Sequence, residues 1–254
     1  MRICPFWQYL FRVIFALGLF LDCREILQAD DSQFLAIAER SFNQARLQYE
    51  AQPQSVRAAW EFSRACFDLA DCATNKSQRA QLANLGMSAA QQALARDSNS
   101  APARYYYGMS LAQLAKTKTL GALKLVRQME HEFKLVSESD EHFDYAGADR
   151  NLGLLYRDAP SFGSIGDRTK AKQYLLQAVE LAPDYPENRL NLIQAYLKWG
   201  QHEAARVELK KLEVLWPAAH TKFSGPEWAS SWADWNHRLE EIKKRLPPSD
   251  SSNK

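Results

Sequence analysis

Between Asp149 and Pro217 the chain repeats itself. Ala171 and Ala205 stand 34 residues apart, and so do Ala178 and Leu212, and Pro183 and Pro217. A small residue, an apolar residue and a closing proline in register at that spacing mark a helix–turn–helix repeat. Each such unit buries its apolar face only against its neighbours, so one repeat implies a stack of them. Alanine and leucine outnumber valine and isoleucine across the chain, which favours helix over strand. The expected fold is all-α, a solenoid of helical hairpins.

Extending the register in both directions gives four repeats between residues 54 and 217. A first helix from Gln33 to Ala51 precedes them, with Asp30, Asp31 and Ser32 as candidate N-caps. Repeat one pairs a helix from Gln54 to Cys72 with one from Ser77 to Ala95, and Ala93 takes the small position where helices cross. Repeat two opens at Ala101 and Pro102, with Gly108 where a partner helix approaches closely; its second half runs long and has no closing proline. Repeat three carries Leu152, Gly153 and Tyr156, then Ala171, Leu175, Ala178 and Pro183. Repeat four carries Leu192, Tyr196, Ala205, Leu209, Leu212 and Pro217. Trp228, Trp232 and Trp235 recur at helical spacing after Pro226, giving an apolar face for a capping helix near residues 226–246. Residues 247–254, PPSDSSNK, have no apolar face to bury and are expected to be disordered.

The first 29 residues look removable. Arg2 precedes a nearly pure apolar run from Val13 to Leu21, and Ala29 stands before a candidate cleavage point. This is the pattern of a secretory signal peptide, and it places the helical domain, residues 30–246, in an exported compartment, periplasmic or secreted. Retention of Ile3–Leu21 as a membrane anchor is the second choice. Asp22 before Cys23 makes a poor lipid-attachment box.

Charge and chemistry narrow the function by exclusion. With 32 basic and 30 acidic side chains the chain carries a net charge of only +2, so no whole-molecule field draws it to nucleic acid. Cys66 and Cys72 lie six apart on one helix and cannot bridge. The histidines are scattered, and the His131-Glu132 and His202-Glu203 pairs each lack the second histidine of a zinc-protease helix. Neither a catalytic set, nor a cofactor motif, nor a metal site is expected.

Repeats three and four, with helix-crossing alanines, glycines and prolines in agreement, resemble the tetratricopeptide superfamily. The resemblance implies that the first helix of each pair lines a concave groove that binds a peptide or a partner protein. On that register the groove is expected to present Tyr105 and Tyr106 from repeat two, Arg150, Asn151 and Arg157 from repeat three, and Asn191, Gln194 and Lys198 from repeat four. Asparagine both donates and accepts, which suits a peptide backbone, and the cations suit a carboxylate. A solvated helical face with ordinary charges is the alternative reading of the same residues.

A six-residue insertion around Pro160, Phe162, Gly163 and Gly166 separates the helices of repeat three. With LGLLY before it and GD..KAK..L..A.EL.P after it, this stretch resembles the T component of certain bacterial TRAP transporters. That resemblance implies partnership with a periplasmic substrate-binding protein, or carriage of a small ligand in a cavity that Tyr105–Tyr107, Phe162 and the tryptophans would line. The pattern also looks like the regulators of microtubule dynamics, which are intracellular. Whether the chain forms a homo-oligomer is left open by the sequence.

Overall fold

The computed structural model describes residues 23–118 and 121–246, with side chains from residue 33 onward. The apolar leader up to residue 22 and the tail at 247–254 lie outside the described residues. Among the described residues there are ten α-helices and no strand. They fall into two compact units that meet in sequence at Asp140 and Glu141.

The N-terminal unit holds α1 (Cys23–Ala51), α2 (Val56–Asp71), α3 (Lys76–Arg96), α4 (Ala101–Thr117) and α5 (Ala122–Ser139). Helix α1 starts ten residues earlier than Gln33, so the expected caps Asp30, Asp31 and Ser32 lie within it. Three later helices begin on side-chain caps. Ser55 accepts from the Ala58 amide at 3.1 Å, Asn75 from Gln78 at 2.8 Å, and Ser100 from Ala103 at 3.4 Å, each satisfying an amide that the helix itself leaves unpaired. Helices α2 and α3 form one hairpin and α4 and α5 the next. Ala59, Ala93 and Ala103 are fully buried in one cluster, the close crossing that Ala93 foretold. Phe62, Cys66 and Ala89 form another, covered by Phe42, Ala45 and Tyr49 of α1. At 18 residues α5 is one helical turn longer than α7 at 14, and residues 140–146 follow it before α6, which together account for the long second half of repeat two.

The C-terminal unit holds α6 (Gly147–Asp158), α7 (Arg168–Leu181), α8 (Pro186–Lys198), α9 (His202–Lys222), a 3-10 turn at Pro226–Trp228 and α10 (Ala229–Arg245). Helices α6 and α7 pair, as do α8 and α9, and α10 packs on α8. The in-register residues Ala171, Leu175, Ala178, Ala205 and Leu212 are all fully buried. Gly153 lies where a Cβ would come within 2.6 Å of the Leu175 side chain, so its lack of a side chain is what lets α7 approach α6. Pro183 follows α7 as expected. Pro217 does not close α9, which runs on to Lys222. Trp228 of the 3-10 turn and Trp232 and Trp235 of α10 are buried, in a ring cluster with Tyr145, Tyr185 and Phe223. The expected capping helix is therefore present, preceded by its 3-10 turn.

Candidate functional site

Helix α4 is buried over most of its length and is contacted by α2, α3 and α5. Tyr105 and Tyr106 are buried in consequence, at 1% and 3% exposure. Tyr106 stacks on Trp60 with ring centroids 5.9 Å apart, while Tyr105 meets Tyr106 edge-on at 5.2 Å and lies 5.7 Å from Phe133. The hydroxyl of Tyr107 accepts from both Gln91 and Gln128, at 3.0 and 2.8 Å. These tyrosines hold the helices of their unit together and do not face an open groove. The signal was in the sequence: three consecutive aromatics, 100° apart on a helix, cannot share one face.

The C-terminal unit gathers most of the other expected groove residues, but into a buried polar network. Arg150 is 1% exposed. Its guanidinium donates to the Asp144 carboxylate at 2.8 Å, to the Tyr145 carbonyl at 3.2 Å and to the Asn188 side-chain oxygen at 3.1 Å, and it lies 5.4 Å from the Tyr185 ring centroid. Asp144, Tyr145 and Ala146 all have left-handed backbones, with φ of 54°, 56° and 60°. Such a conformation costs about 1–2 kcal/mol per non-glycine residue. Arg150 offsets that strain by gathering the carbonyls the turn exposes, and the Asn188 amide adds bonds to Tyr145 at 3.0 Å and to Ala178 at 2.8 Å. Arg150 is thus a clamp on the chain's own turn.

Asn151 and Asn191, which share a repeat position, are both 4% exposed. Asn191 and Gln194 accept from one guanidinium, that of Arg238 on α10; the Gln194 bond is 2.8 Å. Arg238 also lies 3.2 Å from Asp234 and 4.0 Å from Glu187. Tyr185 donates its hydroxyl to Glu187 at 3.3 Å. Burial pushes the Glu187 carboxyl above its ordinary range; Arg150 and Arg238 oppose that shift, and Asp234 and Asp144 add to it. Arg157 makes a two-pronged bond to Asp158 at 2.9 and 2.7 Å, and Lys198 reaches the same carboxylate at 2.8 Å. The cations expected to await a partner's carboxylate are therefore engaged within the chain, and only Lys198 remains widely exposed. Sequence reasoning placed Glu187 beside the groove cations but missed Arg238, Asp234, Asp144 and Asn188. The one hint was the charged and amide run at the start of α8, Glu187-Asn188-Arg189.

The insertion between α6 and α7 is an ordered loop. The Gly166 amide donates to Pro160 at 3.0 Å, and the Asp167 amide donates to Tyr156 at 3.0 Å. Asp167 then caps α7 through the Thr169 and Lys170 amides at 2.9 and 3.1 Å. At Gly166 a Cβ would sit 2.1 Å from the Ala159 carbonyl, so the loop closes only on glycine. Gly163, with φ of 73°, turns its tip. Phe162 is 97% exposed and so lines no cavity, which corrects the ligand-carrier expectation for this residue. Among the described residues no group of His, Cys, Asp and Glu could hold a metal ion. Burial pushes the Cys66 thiol up to about 12, which leaves it protonated and unreactive at neutral pH.

Two family models match the chain, each over less than half its length. The one described as Regulator of microtubule dynamics protein 1-3 matches residues 24–134, and the one described as Tetratricopeptide repeat matches residues 166–213. No curated protein matches the chain in sequence. Among solved structures, a thermophilic TPR protein of Thermus thermophilus, TTC0263, is similar with a TM-score of 0.55 at 18% identity, covering 87% of this chain and 94% of that one. PilF of Pseudomonas aeruginosa is similar with a TM-score of 0.51 at 15% identity, covering 87% and 94%. At such identities these likenesses speak for the fold.

Proposed function

We propose that the chain, whose residues 166–213 match a tetratricopeptide-repeat model, is a non-catalytic scaffold that holds a partner polypeptide against the faces of its helical hairpins. The observation that carries this reading is the way α8 receives α10. A face of α8 presents Asn191 and Gln194 side by side, and the two amide oxygens share a guanidinium from a separate helix. Side-chain amides on the first helix of a hairpin, gripping a cation on another helix, are the means by which such a face would hold a helix from a partner. The decisive experiment is reciprocal affinity capture in the native host, followed by titration of the purified partner onto the purified chain. Saturable binding at a fixed stoichiometry supports the scaffold. Failure of every captured protein to bind back overturns it.

We place the scaffold in an exported compartment, on the strength of the apolar run from Val13 to Leu21. Helix α1 favours retention of that run as an anchor. It begins at Cys23 and passes through Ala29 without a break, so cleavage after Ala29 would remove about two turns of a helix. Fractionation of the host tests this: recovery of a shortened chain in a soluble fraction would contradict anchoring.

A further inference from the structure

We propose that the loop at residues 159–167 and the basic helix ends beside it form a docking surface for an anionic membrane, with Phe162 as the inserted side chain. Phe162 is 97% exposed, yet it stands on a loop fixed by the Gly166–Pro160 and Asp167–Tyr156 backbone bonds. An aromatic ring held out by an ordered tip has little conformational freedom left to lose on insertion. Around it, at the same end of the α6–α7 and α8–α9 hairpins, stand Arg168, Lys170, Lys172 and Lys198, all exposed. Three of them lie against aromatic rings: Arg168 is 5.1 Å from Trp199, Lys170 is 5.3 Å from Tyr156 and Lys172 is 5.7 Å from Tyr196. In each the charged group itself lies over the ring, on a residue that stays exposed, so the cation is positioned and still open to solvent on its other side.

The nearby carboxylates neutralise only part of this patch. Asp158 takes Arg157 and Lys198, Asp167 caps α7 and lies 4.0 Å from Lys170, and Glu203 takes Arg206. Among the described residues Arg168 and Lys172 make no ion pair. The patch is basic on a chain whose net charge is only +2, so its occupant is anionic. Shape favours a bilayer over an acidic protein segment. A Cβ built on Gly163, beside Phe162, meets nothing within 4 Å, so the tip is open next to the exposed ring. A bilayer supplies its own apolar volume and anionic headgroups together. Lys198, at the end of α8, is shared with the face used in the scaffold reading; Phe162, Arg168, Lys170 and Lys172 lie outside it.

The test is cosedimentation of the full chain with vesicles of phosphatidylcholine alone and of phosphatidylcholine with about one-third phosphatidylglycerol. The comparison is repeated with Phe162→Ser and with Arg168→Gln/Lys172→Gln, both of which keep the leader. The wild type is expected to prefer the anionic vesicles. Phe162→Ser should lower its partition to them about tenfold. The double variant should remove at least about tenfold of the anionic preference while leaving binding to phosphatidylcholine unchanged. Unchanged far-UV circular dichroism confirms that the variants fold. A wild type with no anionic preference, as an acidic protein occupant would give, overturns the proposal. So does either variant behaving as wild type.

Discussion

At the scale of single residues, the C-terminal unit is built on buried charge. Arg238 serves Asn191, Gln194, Asp234 and Glu187 at once, and its side chain is 4% exposed. Removing one partner of a buried charge pair strands the other, which costs about 3–5 kcal/mol. Arg238→Ala should lose stability on that order, read as a lower midpoint in urea with an unchanged slope. Glu187 carries the complementary prediction. Burial raises its pKa in the native state above the ordinary 4.5, so across that window the folded chain binds this proton more tightly than the unfolded chain. Its contribution is therefore most favourable at low pH and declines as pH rises from about 4.5 through the raised value. Glu187→Gln cannot titrate there. The stability of the wild type relative to this variant should fall as pH rises through the window, and a flat difference across urea titrations would contradict the assignment. Asn151 and Asn191 show what residue-level reading reached and what it lacked. Their shared repeat position was legible; their burial, at 4% exposure each, was not. That Asn191 would meet an arginine 47 residues later in the chain was not, because no local pattern records which later helix covers an earlier face.

At the scale of elements, periodicity located the hairpins well, since spacing at three and four reports directly which residues a helix must bury. It failed at the end of α9. Proline removes a backbone donor and crowds the preceding turn, so Pro217 read as a terminus. The helix continues through it to Lys222 because its last turns are held from outside. Trp216 and His220 flank the proline, and both pack on Trp232, at 5.3 and 3.6 Å between ring centroids. The Trp232 indole nitrogen, in turn, donates to the Phe223 carbonyl just past the helix end, at 2.6 Å. Tertiary contact thus overrides local propensity. The proline is exposed, so replacing it disturbs no core packing. Pro217→Ala should restore a helix hydrogen bond and relieve the clash, against a smaller loss of about 0.4–1 kcal/mol from the freer unfolded chain. Net stabilisation of about 1–2 kcal/mol is expected, seen as a raised Tm. A lowered Tm would mean that α9 is bent there to fit α10. The loop between α6 and α7 marks a different boundary. Its glycines announced a turn, but only the folded chain shows that the turn closes on itself and leaves Phe162 outside.

At the scale of the whole molecule, the sequence reads as one continuous array, whereas the described chain forms two units. A repeat register cannot record this division, because it counts helices and not the contacts that each one keeps. The C-terminal unit keeps its principal contacts internal. Arg150 bonds to Asp144, Tyr145 and Asn188; Arg238 reaches Asn191 and Gln194; and Tyr145, Tyr185, Phe223, Trp228 and Trp235 form a common ring cluster. Its N-terminal edge is the left-handed turn at Asp144–Ala146, whose clamp, Arg150, lies within the unit as well. A segment of about 100 residues with its own apolar core and its own charge partners meets the conditions for folding alone. Residues 141–246 expressed by themselves should therefore unfold in a single cooperative transition. Trp199, Trp216, Trp228, Trp232 and Trp235 all lie in this segment, and their fluorescence should change together with the helical circular dichroism. If the two signals separate, or the segment binds a hydrophobic dye while remaining helical, its core is not self-sufficient. Its stability would then belong to the longer chain.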